Sequence, residues 1–450
     1  MVQPTLQQHL RPSSCCPKRS WAPTTTTKLA TSLRSSSSLR SIGLLALLLV
    51  SAVQQYNSST PNKILVWNDD DDAADNRARS LDYALRCLRQ TTPQLNNSTV
   101  TYFTDPRDAR EHFATIHEGL APWTKDSQPH CAAGYCGPWI ENRWIEAFQR
   151  HATQPRRSWV LGSGTNDWIQ TFGPYVPLLI PWTDIWVNSN YQYPPGFVDT
   201  LRSLLRPDVL YITVSQNDEG ISGKATDRLR MADIPNVLVL SAGGYGHVPI
   251  PLFKQDEPLI RNHRQEERPW RLSYVGDLTH APREMRQRMH QALRERNSTA
   301  AAAAVDGSSS SFSYTYYHGP NWRSVMETSD ISVVPRGFGR TSYHLMETLQ
   351  RGLVPLHVYM DTPWVPYRTV YEEQLGLLAS VDELSDMRFP SLADLRARER
   401  RIASYRHSHF SWSGFVDQHL RPFLTDPLHD RRSDLECQAL PATVRAAEEE

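Results

Sequence analysis

Asp330–Val358 reads DISVVPRGFGRTSYHLMETLQRGLVPLHV. A buried strand, Ile331–Val334, runs into the glycine-bearing loop Pro335–Thr341. Ser342 opens a helix that reaches Arg351, and a further strand follows at Val354–Tyr359. Strand, loop, helix and strand in that order make a crossover between parallel strands. The start of the helix is an anion site by construction. Its first N–H groups lack partners within the helix and lie at the positive end of the helix dipole, while Arg336, Arg340, Thr341 and Ser342 can add donors beside Gly337. The same residues also fit an N-cap and turn whose arginines are solvated or paired within the fold. Glu347 lies more than a turn into the helix, where it can accept from both ribose hydroxyls of a nucleotide or pair with Arg351 at i+4.

Outward from this segment the same alternation recurs. Toward the C-terminal half, Leu272–Val275 and Ser313–Tyr317 read as strands, with helices at Arg283–Arg296, Trp322–Thr328 and Leu392–Tyr405. Ser298–Ser311 is of low complexity and reads as a surface loop. Before the Pro- and charge-rich joint Pro251–Pro269, strands are expected at Lys63–Trp67, Val100–Thr104, Trp159–Gly162, Leu210–Val214 and Val237–Leu240, with a helix over Asn76–Gln90. The expectation is α/β: two doubly wound Rossmann-like domains, residues 57–260 and 268–425, facing each other across a cleft at the carboxyl ends of their strands. Residues 426–450 read as a flexible tail.

Composition narrows the function. The formal net charge is +0, with 21% charged residues, so the chain has no global basic field to hold nucleic-acid phosphates. Aromatic residues make up 10%, which suits both a large core and a cleft that stacks on rings. Residues 1–40 are basic, rich in Ser and Thr, free of Asp and Glu, and unable to bury a core. They lead into the uncharged run Ser41–Val53, within a segment 41–56 that reads as a signal-anchor with the leader in the cytosol and the remainder translocated. At ~1.5 Å per residue the run covers about 20 Å of a hydrocarbon core of about 30 Å, a short anchor or a signal-peptide core. A transit peptide has the same composition.

Asn57, Asn96, Asn97 and Asn297 open glycosylation sequons in polar stretches expected to be exposed. Cys87, Cys131, Cys136 and Cys437 follow the apolar run and can form two disulfides in any of three connectivities. No Cys or His pair stands at zinc spacing from Cys131 and Cys136. Asp69–Asp72 contains the D-x-D spacing of some metal-dependent transferases but reads as a solvated acidic loop, and no divalent metal is assigned.

Pro335–Tyr367 (PRGFGRTSYHLMETLQRGLVPLHVYMDTPWVPY) resembles the C-terminal signature of exostosin-like glycosyltransferases, sugar-transferase family 47. Cys136–Ile145 (CGPWIENRWI), Ser215–Ile221 (SQNDEGI), Ser241–Leu252 (SAGGYGHVPIPL) and Leu272–Arg286 (LSYVGDLTHAPREMR) agree with it in order, so the resemblance covers most of residues 60–425. It implies a GT-B fold, a donor site in the C-terminal domain and an acceptor site in the N-terminal one. It also implies single-pass type II residence in the Golgi or ER with the catalytic part lumenal.

On that pattern Arg336, Arg340 and Ser342 face the phosphates of a nucleotide-sugar co-substrate, a UDP-sugar by analogy, and Glu347 faces the ribose. The acceptor is a glycan, and an oligomer with a related transferase is a further partner. The pattern departs at His344, where many members carry Arg; a neutral imidazole holds a diphosphate less well. Inverting transfer needs a base, for which Asp218, Glu219 and His247 are candidates because each follows a strand at its cleft-facing end. A lumenal carbohydrate-binding or scaffold protein of the same fold is the alternative function, and paired hydrolase carboxylates cannot be placed.

Overall fold

The computed structural model describes residues 70–91, 95, 100–125, 137–153, 167–222, 229–260, 268–305, 312–425 and 433–438. All belong to one compact unit, Asp69–Glu450. The expected α/β class with parallel sheets is what these residues adopt, with two separate sheets.

The first sheet has the order β1 (Val176–Pro177), β2 (Tyr211–Ser215), β3 (Val237–Ser241) and β4 (Val248–Pro249), all parallel. YITVS and VLVLS are buried at every position, as strands covered on both faces must be. The second sheet has the order β6 (Tyr314–Tyr317), β5 (Trp270–Val275), β7 (Ser329–Pro335), β8 (Val354–Tyr359) and β9 (Leu377–Ser380), also all parallel. From β5 the chain crosses one way to β6 and then returns past β5 to β7. That reversal is a topological switch point at the carboxyl ends of β5 and β7, where open parallel sheets form the crevice that takes ligands.

Helices covering these sheets include α1 (Asp70–Thr91), α2 (Pro106–Thr124), α3 (Ile140–Thr153), α4 (Phe197–Leu204), α5 (Met285–Val305), α6 (Tyr343–Gln350), α7 (Leu392–His409) and α8 (Arg421–Thr425), with further short helices such as Trp182–Asn188 between them. One hydrophobic cluster runs through both halves, from Leu88 and Trp144 to Leu356 and Phe423. The expected pair of facing domains is thus two sheets within one compact unit.

Several expectations are corrected. Residues Asp70–Asp72 of the acidic run open α1 instead of forming a loop. Val100–Thr104 forms no strand; Thr101 makes an isolated parallel bridge to Val209. The supposed loop after Asn297 continues α5 to Val305, since an alanine run is the best helix former available. Asn297 is not on an exposed loop: it lies half-buried in that helix, and its Oδ1 accepts from the Tyr314 N–H at 2.8 Å, which opposes use as a glycan acceptor. The short edge strands β1, β4 and β9 were not anticipated.

The C-terminal boundaries also shift. Helix α8 packs back on the first half, where Phe423 meets Tyr83 edge-on at 5.8 Å and the Thr425 carbonyl accepts from Ser80 Oγ at 3.2 Å. Residues 433–438, within the expected flexible tail, form a strap fixed by a Cys87–Cys437 disulfide with Cα atoms 5.5 Å apart. The strap also holds hydrogen bonds from Gln438 N to the His247 carbonyl and from Thr369 to Glu436. Residues 41–56, Lys63–Trp67, Trp159–Gly162, Asn57, Asn96, Asn97, Cys131 and Cys136 lie outside the described residues. Among the described residues no helix is long and apolar enough to cross a membrane.

Candidate functional site

Pro335–Ser342 connects β7 to α6 at the crevice and meets the Ser241–His247 loop of the first sheet. Backbone touches backbone here. Arg340 N donates to Gly243 O at 2.9 Å, and a Cβ built on Gly244 (φ +122°) falls 2.5 Å from Arg340 N. A Cβ on Gly339 falls 2.2 Å from Gly243 O and 2.8 Å from Asp218 Oδ1. Glycine is needed at these positions because any side chain would force the halves apart.

Arg336 and Arg340 do not reach out for phosphate. Both side chains are 2% exposed and share one carboxylate: Arg336 Nη1 donates to Asp361 Oδ1 at 2.6 Å, and Arg340 Nε to Asp361 Oδ2 at 3.0 Å. Arg336 also donates to the Gly339 and Phe338 carbonyls, and Arg340 to the Gly244 carbonyl while covering the Tyr245 ring at 3.8 Å. Burial pushes the Asp361 carboxyl up, but the two guanidinium groups more than offset it and hold it below the usual aspartate range. The expectation that both arginines face the donor is corrected: they knit the loop to the strand-end aspartate. No sequence signal tied Asp361 to them, because the pairing spans 25 and 21 residues and two loops.

The start of α6 is built differently. Ser342 occupies the N-cap but makes no capping hydrogen bond; its hydroxyl donates instead to the Pro335 carbonyl at 3.0 Å. The first turn of α6 is thus not capped by the Ser342 side chain. Thr341 is buried, with its carbonyl accepting from Gly337 N at 2.8 Å. Arg286, a residue the spacing argument passed over, donates from Nε to the Arg336 carbonyl at 2.9 Å and from Nη1 to the Asp277 carbonyl at 3.0 Å. Among the described residues no carboxylate pairs with it, and its Nη2 lies 3.9 Å from a Cβ built on Gly337.

His344 faces inward, with Nε2 3.3 Å from Ser332 Oγ and its ring 6.5 Å from that of Tyr274. Burial, then the nearby Arg286, pushes its pKa down to about 3, so it is neutral and supplies no charge to an anion.

Glu347 does not pair with Arg351. That arginine is buried against Glu257 at 3.1 Å and also meets Glu327. No described hydrogen bond or ion pair engages the Glu347 carboxylate. Burial raises its pKa, partly opposed by Lys254, and Glu257 raises it further. Lys254 Nζ sits 5.5 Å over the ring of Tyr343, and the Tyr343 hydroxyl accepts from Gln216 Nε2 at 2.8 Å, joining α6 to the end of β2.

Among the base candidates, His247 is fully buried. Its Nδ1 accepts from the Val239 N–H at 3.0 Å and burial drives its pKa to about 3. It is a structural residue of the first sheet and cannot meet an acceptor sugar. Asp218 is exposed and Glu219 half-buried, both in the turn after β2 that lies against Gly339. Sequence reasoning missed Glu141, whose Oε1 accepts from Thr183 Oγ1 and Gln216 N at 2.8 Å each while Oε2 is buried without a partner among the described residues. Burial pushes this carboxyl up to about 7, yet the side chain has no exposure, so it anchors the Gln216 turn from behind.

No family model matches the chain, and no curated protein matches it. Among solved structures it is similar to the crystal structure of TarM, with 8% sequence identity and a TM-score of 0.28 over 51% of this chain and 53% of that chain. The chain thus spans about half the length of that structure.

Proposed function

We propose that this chain is an exostosin-like glycosyltransferase of GT-B type, moving a monosaccharide from a nucleotide sugar, a UDP-sugar, to a glycan acceptor in the secretory pathway. The observation that carries the reading is the start of α6 at the crevice, where Ser342 turns its hydroxyl to the Pro335 carbonyl, with the Glu347 carboxylate, which no described hydrogen bond or ion pair engages, further along the same helix. A diphosphate on the first-turn N–H groups, beside Arg286, would place its ribose toward Glu347, which would accept from the hydroxyls. The helix start and Arg286 would stabilise the charge that develops on the departing diphosphate. Asp218 and Glu219, in the turn facing Gly339, are the base candidates that stay on the crevice side once His247 is removed. Type II residence with a lumenal catalytic part belongs to the same proposal.

The burial of Arg336 and Arg340 against Asp361, together with the neutral His344, favours a second reading: a lumenal carbohydrate-binding or scaffold protein of the same fold without turnover. The two readings separate in one assay. The full chain is incubated with a panel of nucleotide sugars beside Glu347→Gln and Arg286→Met variants, and both nucleotide release and donor binding are measured. Release from one donor, lost in both variants, supports the transferase and names its sugar. Binding without release supports the second reading, and folded protein that neither binds nor turns over any donor overturns both.

A further inference from the structure

Away from the crevice, the end of α7, the wide helical turn Val416–Leu420 and the C-terminal strap bring His409, His419 and Asp434 together, with one ligand atom of each within 4.8 Å of the others. His409 Nε2 lies 2.8 Å from Asp434 Oδ2, and His419 Nδ1 lies 3.9 Å from the same oxygen. Both histidines are buried, 4% and 3% exposed. Their ring centroids are 4.2 Å apart, and each is 4.7 Å from the ring of Tyr367.

Both nitrogens of the His409 ring are engaged: Nδ1 lies 2.7 Å from Ser408 Oγ, which also lies 3.1 Å from the Tyr405 carbonyl, and Nε2 lies 2.8 Å from Asp434 Oδ2. In the tautomer with Nδ1–H donated to the hydroxyl, the Nε2 lone pair faces the carboxylate, and a cation between them would satisfy both. A hydroxyl holding the far nitrogen is also how metal-bound histidines are commonly oriented. His419 adds a second mark: its Nδ1 accepts from the Asp434 N–H at 3.2 Å, while its Nε2 is buried without a partner among the described residues.

We infer that His409, His419 and Asp434 form a binding site for a borderline divalent cation of the zinc class, with water as the fourth ligand. Two imidazoles and one carboxylate at this separation suit tetrahedral zinc, whereas calcium and magnesium require mostly oxygen ligands. Asp434 comes from the strap that Cys437 anchors to Cys87, so the ion would fasten the C-terminal end of the chain to the helices of the second half. The site is independent of the crevice and of any donor bound there.

The test uses the full chain, stripped with chelator and titrated with Zn²⁺ by calorimetry and with Co²⁺ by visible absorption. Wild type is expected to bind one equivalent and to show the intense d–d bands of a tetrahedral cobalt site. Asp434→Asn, nearly isosteric, should weaken Zn²⁺ by about a hundredfold or more, and His419→Gln should remove the cobalt bands; circular dichroism checks that both remain folded. The inference is overturned if stripped wild type takes up no metal beyond that bound by His419→Gln, or if folded Asp434→Asn binds as tightly as wild type. In either outcome a proton bridges His409 and Asp434.

Discussion

Asp361→Asn tests the assignment of Arg336 and Arg340 to the fold. The substitution keeps the shape of the side chain and removes the one carboxylate that two guanidinium groups share, each of them 2% exposed. Breaking a buried pair by removing one partner costs about 3–5 kcal/mol, because the remaining charge stays desolvated. Both arginines retain carbonyl acceptors, at Phe338, Gly339 and Gly244, which places the expected loss near the lower end, about 3 kcal/mol. With an unfolding entropy of about 2.1 cal/mol/K per residue, a unit of this size would lose roughly 4 °C in Tm.

Denaturant unfolding followed by tryptophan fluorescence, with a thermal melt beside it, reads the loss directly. The pH dependence supplies an internal check. A carboxyl held below its unfolded value contributes stability that is complete above the ordinary aspartate range and is lost as pH falls through the folded value. The gap between wild type and variant should therefore close in acid. A loss below about 1 kcal/mol at neutral pH, the scale of a solvent-screened pair, would refute the structural role and return the arginines to the donor.

Glu347→Gln should abolish donor turnover without lowering Tm. Because its pKa is raised, the folded state holds the proton more tightly than the unfolded one, and wild-type stability declines as pH climbs out of the ordinary glutamate range. The amide variant, compared by melts at two pH values, should escape that decline. Gly339→Ala drives a methyl group to 2.2 Å from the Gly243 carbonyl and should cost about 1–3 kcal/mol or more in denaturant unfolding; a neutral result would mean the two loops separate freely. Cys437→Ser should cost about 2–4 kcal/mol and free one thiol at Cys87, counted by alkylation and mass spectrometry under non-reducing conditions.

The loop and helix Pro335–Arg351 were legible from the chain because every signal there is local: a fully buried β-branched strand, glycines, a hydroxyl at the helix start, and apolar residues at helical spacing. The parallel α/β class followed from the same alternation, and most strands of the second sheet fell where residue type placed them. The edge strands β1 and β4 did not, since two residues hydrogen-bonded to a neighbour carry no period of their own. The alanine run after Asn297 was misjudged because low complexity suggested a loop where intrinsic propensity favoured a helix.

What the sequence could not decide was partnership among its charges. Arg336 and Arg340 had two readings, and so did Glu347, because an arginine or glutamate in a loop or on a helix pairs with whatever carboxylate or guanidinium the fold brings within about 4 Å. Tertiary structure gave both arginines to Asp361, gave Arg351 to Glu257 and thereby released Glu347. It buried His247 in the first sheet, and it brought Asp434 from the supposed tail to His409 and His419. Local pattern determines which residues enter a strand or open a helix; which charge meets which depends on distances that exist only once sheets, loops and strap have packed together.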